Sequence, residues 1–400
     1  MDKDRKTAFL ILKDIEENSS WSNLSLNRYL KNGEVNSPAF VRELVYGVIR
    51  NRILLDVNID ALVKKIKLPD RIILRMGLYQ ICFMDSAAEY AAVNESVELA
   101  KSFAKGRDGF INAVLRNFIR KGSELKSKEP YEKYSCRPWI YELLKKSYGK
   151  EKAEDILYWC SQPAELSIRP NTLKITKEEL DLRLADIDKS RMLESELYKN
   201  GYFSVQGMAS QMAVKILDPK PGDTLIDMCA APGGKSCAAA EIMQNRGKIF
   251  SFDLYEHRVK LIDKEAGRLG IDIISAQTAD ASVFDKSLEN TADCIICDVP
   301  CSGLGVIRKK PEIKLTAKEE DVKTLPVLQL SILKNAARYL KKRGRLLYST
   351  CTINPAENSG VIKQFTDNDP QFEILEERLI LPDKDNQDGF YICLMGKNNG

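Results

Sequence analysis

Two cysteines sit in short polar runs that read as turns at strand ends. They are Asp298-Val299-Pro300-Cys301-Ser302-Gly303-Leu304-Gly305 and Tyr348-Ser349-Thr350-Cys351-Thr352-Ile353-Asn354-Pro355-Ala356-Glu357-Asn358. Buried cysteines behave as small apolar residues, which accounts for most of the ten in the chain but poorly for these two. A thiolate is a strong nucleophile once nearby positive charge or a helix N-terminus lowers its pKa. Lys235 and a helix opening near Asn354-Pro355 are the candidates to do so. His257 is the only histidine, so neither a Ser/His/Asp triad nor a histidine-rich metal site finds support. Cys294 and Cys297 have a ligand spacing, but residues three apart on a strand face opposite sides and no second C-x-x-C occurs. No metal is expected.

A second constellation precedes these cysteines. The apolar run Thr224-Leu225-Ile226 leads into Asp227-Met228-Cys229-Ala230-Ala231-Pro232-Gly233-Gly234-Lys235, a strand, tight turn and helix. Two glycines there let a ligand approach the backbone, and the free N–H groups opening the helix attract an anionic group. Taken alone, a glycine pair after a strand more often serves only turn geometry. Three carboxylates add to it, because ligands of open α/β sheets collect beyond the carboxyl ends of the strands. Asp253 ends the next strand, near the ~20-residue separation at which an acid meets a ribose, or it caps the following helix. Asp280 could accept from an exocyclic amine, or cap a helix, and Asp298 ends a further strand. The turn is not G-x-G-x-x-G, so a dinucleotide lacks its fingerprint. A cofactor with ribose, adenine and a carboxylate but no pyrophosphate, such as S-adenosylmethionine, fits better.

The elements that position these residues are legible from periodicity. Residues 1–125 read as an all-α domain, with apolar positions Ala8, Leu12, Ile15, then Val41, Leu44, Val45, Val48, then Ile72, Ile73, Met76. The polar run 123–135, with Pro130, suits a boundary. Residues 126–210 read as a small α+β subdomain, helical over 138–160 and with a short strand around Leu166–Lys174. From 211 to 400 strands and helices alternate, which predicts a mostly parallel sheet covered on both faces, an α/β Rossmann-like domain. Strands are expected at 224–229, 248–253, 271–276, 293–299 and 344–350, and helices at 234–244, 255–268, 326–341 and 355–366. Gly389–Leu394 is expected to pair antiparallel at or near the edge. Arg116, Arg120 and Lys121 share one helical face that could meet phosphates, and Arg169 and Asn171 could touch RNA.

The chain has 400 residues, 44% apolar and 30% charged, with a net charge of +4. This suits a multidomain soluble protein but is too weakly basic to prove a polyanion partner. Cysteines without regular pairing, and no basic-then-apolar N-terminal run, point to a reducing cytoplasm. No apolar stretch is long enough to span a bilayer.

With these residues together, the chain resembles the bacterial small-subunit ribosomal RNA cytosine-C5 methyltransferases of the RsmB type, within the wider RNA 5-methylcytosine methyltransferase family. The resemblance rests on Cys229–Lys235, Pro300-Cys301, Thr350-Cys351 and Asp388-Gly389-Phe390. It also rests on N-terminal helices, including Arg75–Tyr79, Ala92–Lys101 and Gly109–Arg116, which resemble the NusB-like RNA-binding fold. The resemblance implies methyl transfer from S-adenosylmethionine to a cytosine of 16S ribosomal RNA. Cys229, Ala230, Ala231, Pro232, Gly233, Gly234, Lys235, Asp253, Asp280 and Asp298 would line the cofactor and the edge of the base. It assigns attack on cytosine C6 to Cys351 and assistance of product release to Cys301, a choice the residue chemistry alone leaves open. Lys235 and Asp298 complete the expected catalytic set, and Arg116, Arg120, Arg169 and Asn171 the expected RNA contacts. Val299, Leu304 and Gly207 depart from the family's common alanine, threonine and acidic residue. An RNA-binding assembly protein, a methyltransferase of another RNA, and a dinucleotide oxidoreductase are the alternatives. The intact cysteine pair disfavours the first and the missing fingerprint the last. The oligomeric state is not legible.

Overall fold

The computed structural model describes residues 2–18, 22–32, 35–85, 88–385 and 387–398. It divides into two compact units, residues 1–162 with 309–316, and residues 163–308 with 317–400.

In the first unit seven helices lead: α1 (Lys3–Asn18), α2 (Ser22–Asn32), α3 (Pro38–Arg50), α4 (Arg52–Leu62), α5 (Leu68–Phe83), α6 (Glu89–Phe103) and α7 (Asp108–Arg120). The positions that periodicity assigns to the core, among them Ala8, Leu12, Val41, Leu44, Val48, Ile72 and Met76, are all buried in one cluster. Three more helices follow, α8 (Pro130–Lys133), α9 (Pro138–Tyr148) and α10 (Lys150–Cys160), the last two divided at Gly149, whose φ is +81°.

The compact helical unit runs on past residue 125, where composition suggests a boundary, to residue 162. The polar run before Pro130 reads as a linker by composition, but Asn58 clasps its backbone, donating to Lys126 O at 2.9 Å and accepting from Lys126 N at 2.9 Å. Ser135 Oγ further accepts from Leu54 N at 2.9 Å. A side chain donated from a distant helix fixes that polar segment. Residues 309–316, with α16 (Ile313–Thr316) counted in chain order, also belong to this unit. Lys314 is buried there, donating to Arg50 O at 2.8 Å and Tyr134 O at 2.7 Å, and burial pushes its ammonium down to about 8.

The second unit opens with β1 (Ile168–Pro170) paired antiparallel to β2 (Phe203–Val205) over a small core of Ile175, Leu180, Leu184, Met192 and Phe203. Helices α11 (Lys177–Leu184) and α12 (Glu196–Lys199) lie between them, and α13 (Met208–Leu217) follows. This α+β part belongs to the same compact unit as the large sheet, a unit that begins at residue 163.

That sheet has seven strands in the order β5-β4-β3-β6-β7-β9-β8. They are β3 (Thr224–Asp227), β4 (Lys248–Asp253), β5 (Ile274–Thr278), β6 (Ala292–Asp298), β7 (Leu340–Thr350), β8 (Phe372–Ile380) and β9 (Phe390–Lys397). Strands β3 to β7 pair in parallel, and β9 runs antiparallel between β7 and β8. The edge is β8, a largely exposed strand rich in charged residues, and β9 pairs antiparallel beside it, near the edge as its sequence suggested. Alternation sends Leu225, Cys294 and Ile296 to one core and Ile226, Ile295 and Cys297 to the other. Helices α14 (Gly234–Ile242), α15 (Glu256–Leu269), α17 (Glu319–Tyr339) and α18 (Ser359–Asn368) complete the Rossmann-like unit. The order reverses between β3 and β6, which opens a ligand crevice beyond their carboxyl ends. No helix of the described residues is long and apolar enough to cross a membrane.

Candidate active site

Strand β3 delivers Asp227 to the crevice, where it is 1% exposed. Ser236 Oγ donates to its Oδ2 at 2.7 Å, while Oδ1 is buried without a hydrogen-bond partner. Burial pushes this carboxyl up to about 7. The turn that follows is pinned to its neighbours: Met228 N donates to Ile296 O at 2.9 Å and Ala230 N to Phe252 O at 2.7 Å. Arg258 donates to Ala231 O at 3.1 Å and pairs with Asp253 at 3.4 Å.

The glycines act differently from the expectation. Gly233 has a φ of +101°, and a Cβ there would lie 3.2 Å from Ile262 Cα. At Gly234 it would lie 3.6 Å from Gln206 Nε2. Both missing side chains face protein, so the glycines set the turn's shape and seat it on α15 and β2 rather than clear space for a ligand.

Arg169 and Asn171 explain this support, and neither is placed to meet RNA. Arg169 is buried, pairs with Glu241 at 2.8 Å, bonds to Gln206 and donates to Gly234 O at 2.9 Å. Asn171 is fully buried, donating to Gly201 O at 2.8 Å and Leu269 O at 2.9 Å. Polar residues on a short strand look available in sequence, but tertiary packing has enclosed both. Arg116, Arg120 and Lys121 do lie exposed on α7 and its end, with Arg116 Nε donating to Asn112 at 2.8 Å.

Asp253 is 4% exposed and accepts from Tyr255 N at 3.2 Å, a local turn rather than the N-cap of α15, whose cap position is Tyr255. Asp280 is exposed, with one oxygen accepting from Ser282 N at 2.9 Å and Ser282 Oγ at 2.6 Å. The Ser282 hydroxyl holds its pKa below the ordinary value. No helix follows Asp280, so it caps a turn rather than a helix.

At the end of β6, Asp298 accepts from Lys235 Nζ at 2.6 Å and Ser349 Oγ at 2.7 Å. Lys235 is therefore bound to a carboxylate, not to a cysteine, and stands 5.2 Å from the Phe390 ring centroid. Beyond the ends of β6 and β7 the Cys301 and Cys351 sulfurs are 3.3 Å apart. The hydrogen bond to Cys351, then burial, then the Glu357 carboxylate hold the Cys301 thiol well above its usual range. The expected lowering by Lys235 or by a helix at Asn354-Pro355 has no counterpart at Cys301. The lysine is spent on Asp298, and residues 355–357 form only a short 3-10 turn. Either sulfur of the pair can be the donor to the other.

Sequence reasoning missed the group that holds the two cysteine loops together. Glu357 is fully buried. One of its oxygens accepts from Ser302 Oγ at 2.5 Å and Asn354 Nδ2 at 3.0 Å, the other from Ser302 N at 2.8 Å and Gln329 Nε2 at 3.1 Å. The signal available was Asn354-x-x-Glu357, which has the spacing of a capping box. Asn354 does cap, accepting from Ala356 N at 3.2 Å, but the glutamate turns to Ser302 instead. Gly305 closes the apex: its N donates to Cys351 O at 3.0 Å, and a Cβ there would lie 2.0 Å from Gly389 O. The Asp388-Gly389-Phe390 stretch thus abuts the Cys301 loop directly.

Cys294 and Cys297 enter different cores of the sheet, and burial raises both thiols. Cys229 is likewise raised by burial. Among the described residues no group of three His, Cys, Asp or Glu side chains could hold a metal ion. The donor set of the crevice is acidic, with Asp227, Asp253, Asp280 and Asp298 at successive strand ends. That chemistry fits hydroxyls, an amine and a positively charged sulfonium, and it does not fit a pyrophosphate.

Comparison with known proteins agrees with this arrangement. Residues 214–396 match the family model described as 16S rRNA methyltransferase RsmB/F, and residues 2–120 match the NusB family. The Bacillus subtilis protein named "Probable ribosomal RNA small subunit methyltransferase B" is 36% identical over 98% of each chain. Its Vibrio cholerae counterpart, Ribosomal RNA small subunit methyltransferase B, is 32% identical over 90% of each. The crystal structure of PH0851 matches with a TM-score of 0.83 at 26% identity over 98% of each chain. That of NSun6 from Pyrococcus horikoshii with SFG shares the fold at 22% identity, with a TM-score of 0.59 over 66% of this chain and 99% of that one. With its strand-end turn, its paired cysteines and a full-length match to these relatives, the chain belongs to the RsmB/F family of 16S rRNA methyltransferases.

Proposed function

We propose that this protein transfers the methyl group of S-adenosylmethionine to C5 of a cytosine in 16S ribosomal RNA, through a covalent bond between Cys351 and C6 of the base. The observation that carries the reading is the 3.3 Å approach of the Cys301 and Cys351 sulfurs beside Asp298, at the carboxyl ends of adjacent parallel strands.

The cofactor, when bound, supplies an electrophilic methyl group on a sulfonium. The turn at 229–235 would hold its methionine end, Asp253 its ribose hydroxyls and Asp280 its adenine amine. The target base must be unpaired or flipped from its stack to enter such a crevice.

Cytosine C5 is a poor nucleophile, and Cys351 changes that. As its thiolate bonds to C6, the C5–C6 π pair moves toward C5, and N3 takes up a proton that the Lys235 ammonium passes through Asp298 Oδ2, with Ser349 holding the other carboxylate oxygen. C5 would then take the methyl carbon as that carbon's bond to the sulfonium breaks, the bonding pair staying on the sulfur as a neutral thioether. Loss of the C5 proton to solvent, return of the N3 proton and cleavage of the C6–S bond restore the ring, and the electron pair goes back to the Cys351 sulfur. Cys301, 3.3 Å away and with its thiol held above the usual range, would donate a hydrogen bond to that departing sulfur, which is how it assists release.

RNA carrying 5-fluorocytidine at the target position tests this. The C5–F bond cannot give up a proton, so with the methyl donor present an adduct is expected to survive denaturing electrophoresis. Cys351→Ala is expected to form none, and an undiminished adduct in that variant would sink the assignment. Cys301→Ala is expected to accumulate adduct with unmodified RNA, and normal turnover would remove its release role. Mapping 5-methylcytosine in ribosomal RNA from cells with and without the protein identifies the nucleotide.

A further inference from the structure

The helical unit contains a cavity of about 530 Å³ that the chemistry above does not use. Its size lies within the range of small-ligand pockets. One part of its wall is apolar, with Leu12, Val48 and Ile49, and another carries Arg52, Arg75, Arg137 and the carboxylates of Glu16 and Glu312.

The charges are unevenly satisfied. Arg75, 4% exposed, is forked between Glu16 at 2.9 Å and Asp56 at 2.6 Å. Arg52 shares the same Glu16 at 2.8 Å. Burial, then the neighbouring Arg75, and last Arg137 lower the Arg52 pKa, against the pull of Glu16 and Asp56. Arg137 is exposed. Three guanidinium groups thus line one cavity, a setting that favours an anion with geometry suited to their forks.

Glu312 asks for the opposite partner. It is 5% exposed, its Oε1 accepts from Ser22 Oγ at 2.8 Å, and its Oε2 is buried with no hydrogen-bond partner. A buried carboxylate oxygen left without a donor is costly. A ligand that answers both needs carries an anionic group, an N–H or O–H donor and an apolar face. A nucleotide has all three: a phosphate, an exocyclic amine or ribose hydroxyl, and a flat base.

We propose that this cavity receives one unstacked nucleotide of the RNA, with its phosphate on Arg137 and Arg52 and an amine or hydroxyl donating to Glu312 Oε2. The choice of RNA as the source rests on the function proposed above. Glu312 comes from residues 309–316, the continuation of the chain after the Cys301 loop, and no sequence motif marked it.

The test uses the full chain without methyl donor, and measures binding of 16S ribosomal RNA and, separately, of cytidine and guanosine 5′-monophosphates across a range of salt. Arg137→Gln is expected to weaken RNA binding about 10-fold near physiological salt and to reduce the salt slope by about one phosphate contact. Glu312→Gln is expected to weaken binding about 5- to 10-fold with the slope unchanged. Wild-type affinity and slope in both variants would overturn the proposal. If thermal melting shows that Glu312→Gln is misfolded, Arg137→Gln, at an exposed position, decides alone. Free nucleotides that respond to both substitutions while RNA does not would overturn RNA as the source. Wild-type protein that binds RNA by these rules yet makes no 5-methylcytosine would refute the proposed reaction and leave the cavity assignment standing.

Discussion

The turn at 229–235 and the paired loops at 299–305 and 351–358 both lie beyond the carboxyl ends of parallel strands, but different forces hold them. The first is held mainly by packing and backbone: Gly233 sits against Ile262, Gly234 against Gln206, and the Met228 and Ala230 amides are tied to adjacent strands. The second is held by one buried carboxylate, Glu357, which receives hydrogen bonds from Ser302, Asn354 and Gln329. A packed turn tolerates small relaxations. A polar network at zero exposure fails as a unit, because each donor released is a buried group left unpaired.

The largest effect is therefore expected at the apex. Glu357→Ala frees the two cysteine loops from each other and is expected to lower kcat about 100-fold or more, the scale of a misplacement near 1 Å. KM for the methyl donor is expected to stay within about 3-fold, since the cradle is separate. Single-turnover methylation reads this, and a kcat within 3-fold of wild type would show that the loops hold their geometry without the carboxylate.

Gly233→Ala breaks the other side of the comparison. An alanine at φ +101° is strained by about 1–3 kcal/mol and must displace Ile262, so the melting temperature is expected to fall by several degrees. Methyl-donor binding, measured by calorimetry, should weaken about 10-fold while kcat at saturation changes little. A kcat defect at saturating donor would mean that the turn and the apex are not independent.

Asp227→Asn gives the smallest change and separates charge from packing within the cradle. Because burial raises its carboxyl from 3.8 to about 7, the folded state holds a proton that the unfolded chain has released between those values. Its contribution to stability is complete below 3.8, declines as pH rises and is lost through 7. Melting curves at pH 5 and pH 8 are expected to differ less in Asp227→Asn than in wild type, with the gain at pH 8. An unaltered pH dependence would place the charged form of Asp227 in a better-solvated setting than its burial implies.

The parallel strands and helices of the large sheet were legible because alternation and apolar runs are local. The strand read at 271–276 lies a few residues later, at 274–278, and β8 escaped because its polar edge carries no run of apolar residues. The polar run at 123–135 hides its partner for a related reason. Asn58 orders a polar segment 68 residues away, and composition does not record a partner from elsewhere in the chain. Arg169 and Asn171 read as surface donors for the same cause, since nothing near them in sequence reveals Glu241, Gly201 or Leu269.

The sequence by itself determined the chemistry on offer: one histidine, two cysteines in turn-forming runs, aspartates at strand ends and a glycine turn without a dinucleotide fingerprint. These are residue types and short spacings, which the chain carries in one dimension. Tertiary structure decided what each group faces. It bound Lys235 to Asp298 rather than to a thiol, brought the Cys301 and Cys351 sulfurs to 3.3 Å, and made Glu357 the tie between two loops. It also left Glu312 with an open oxygen in a cavity of arginines. All of these depend on groups brought together from distant positions, and on burial, which sets the strength of every charge.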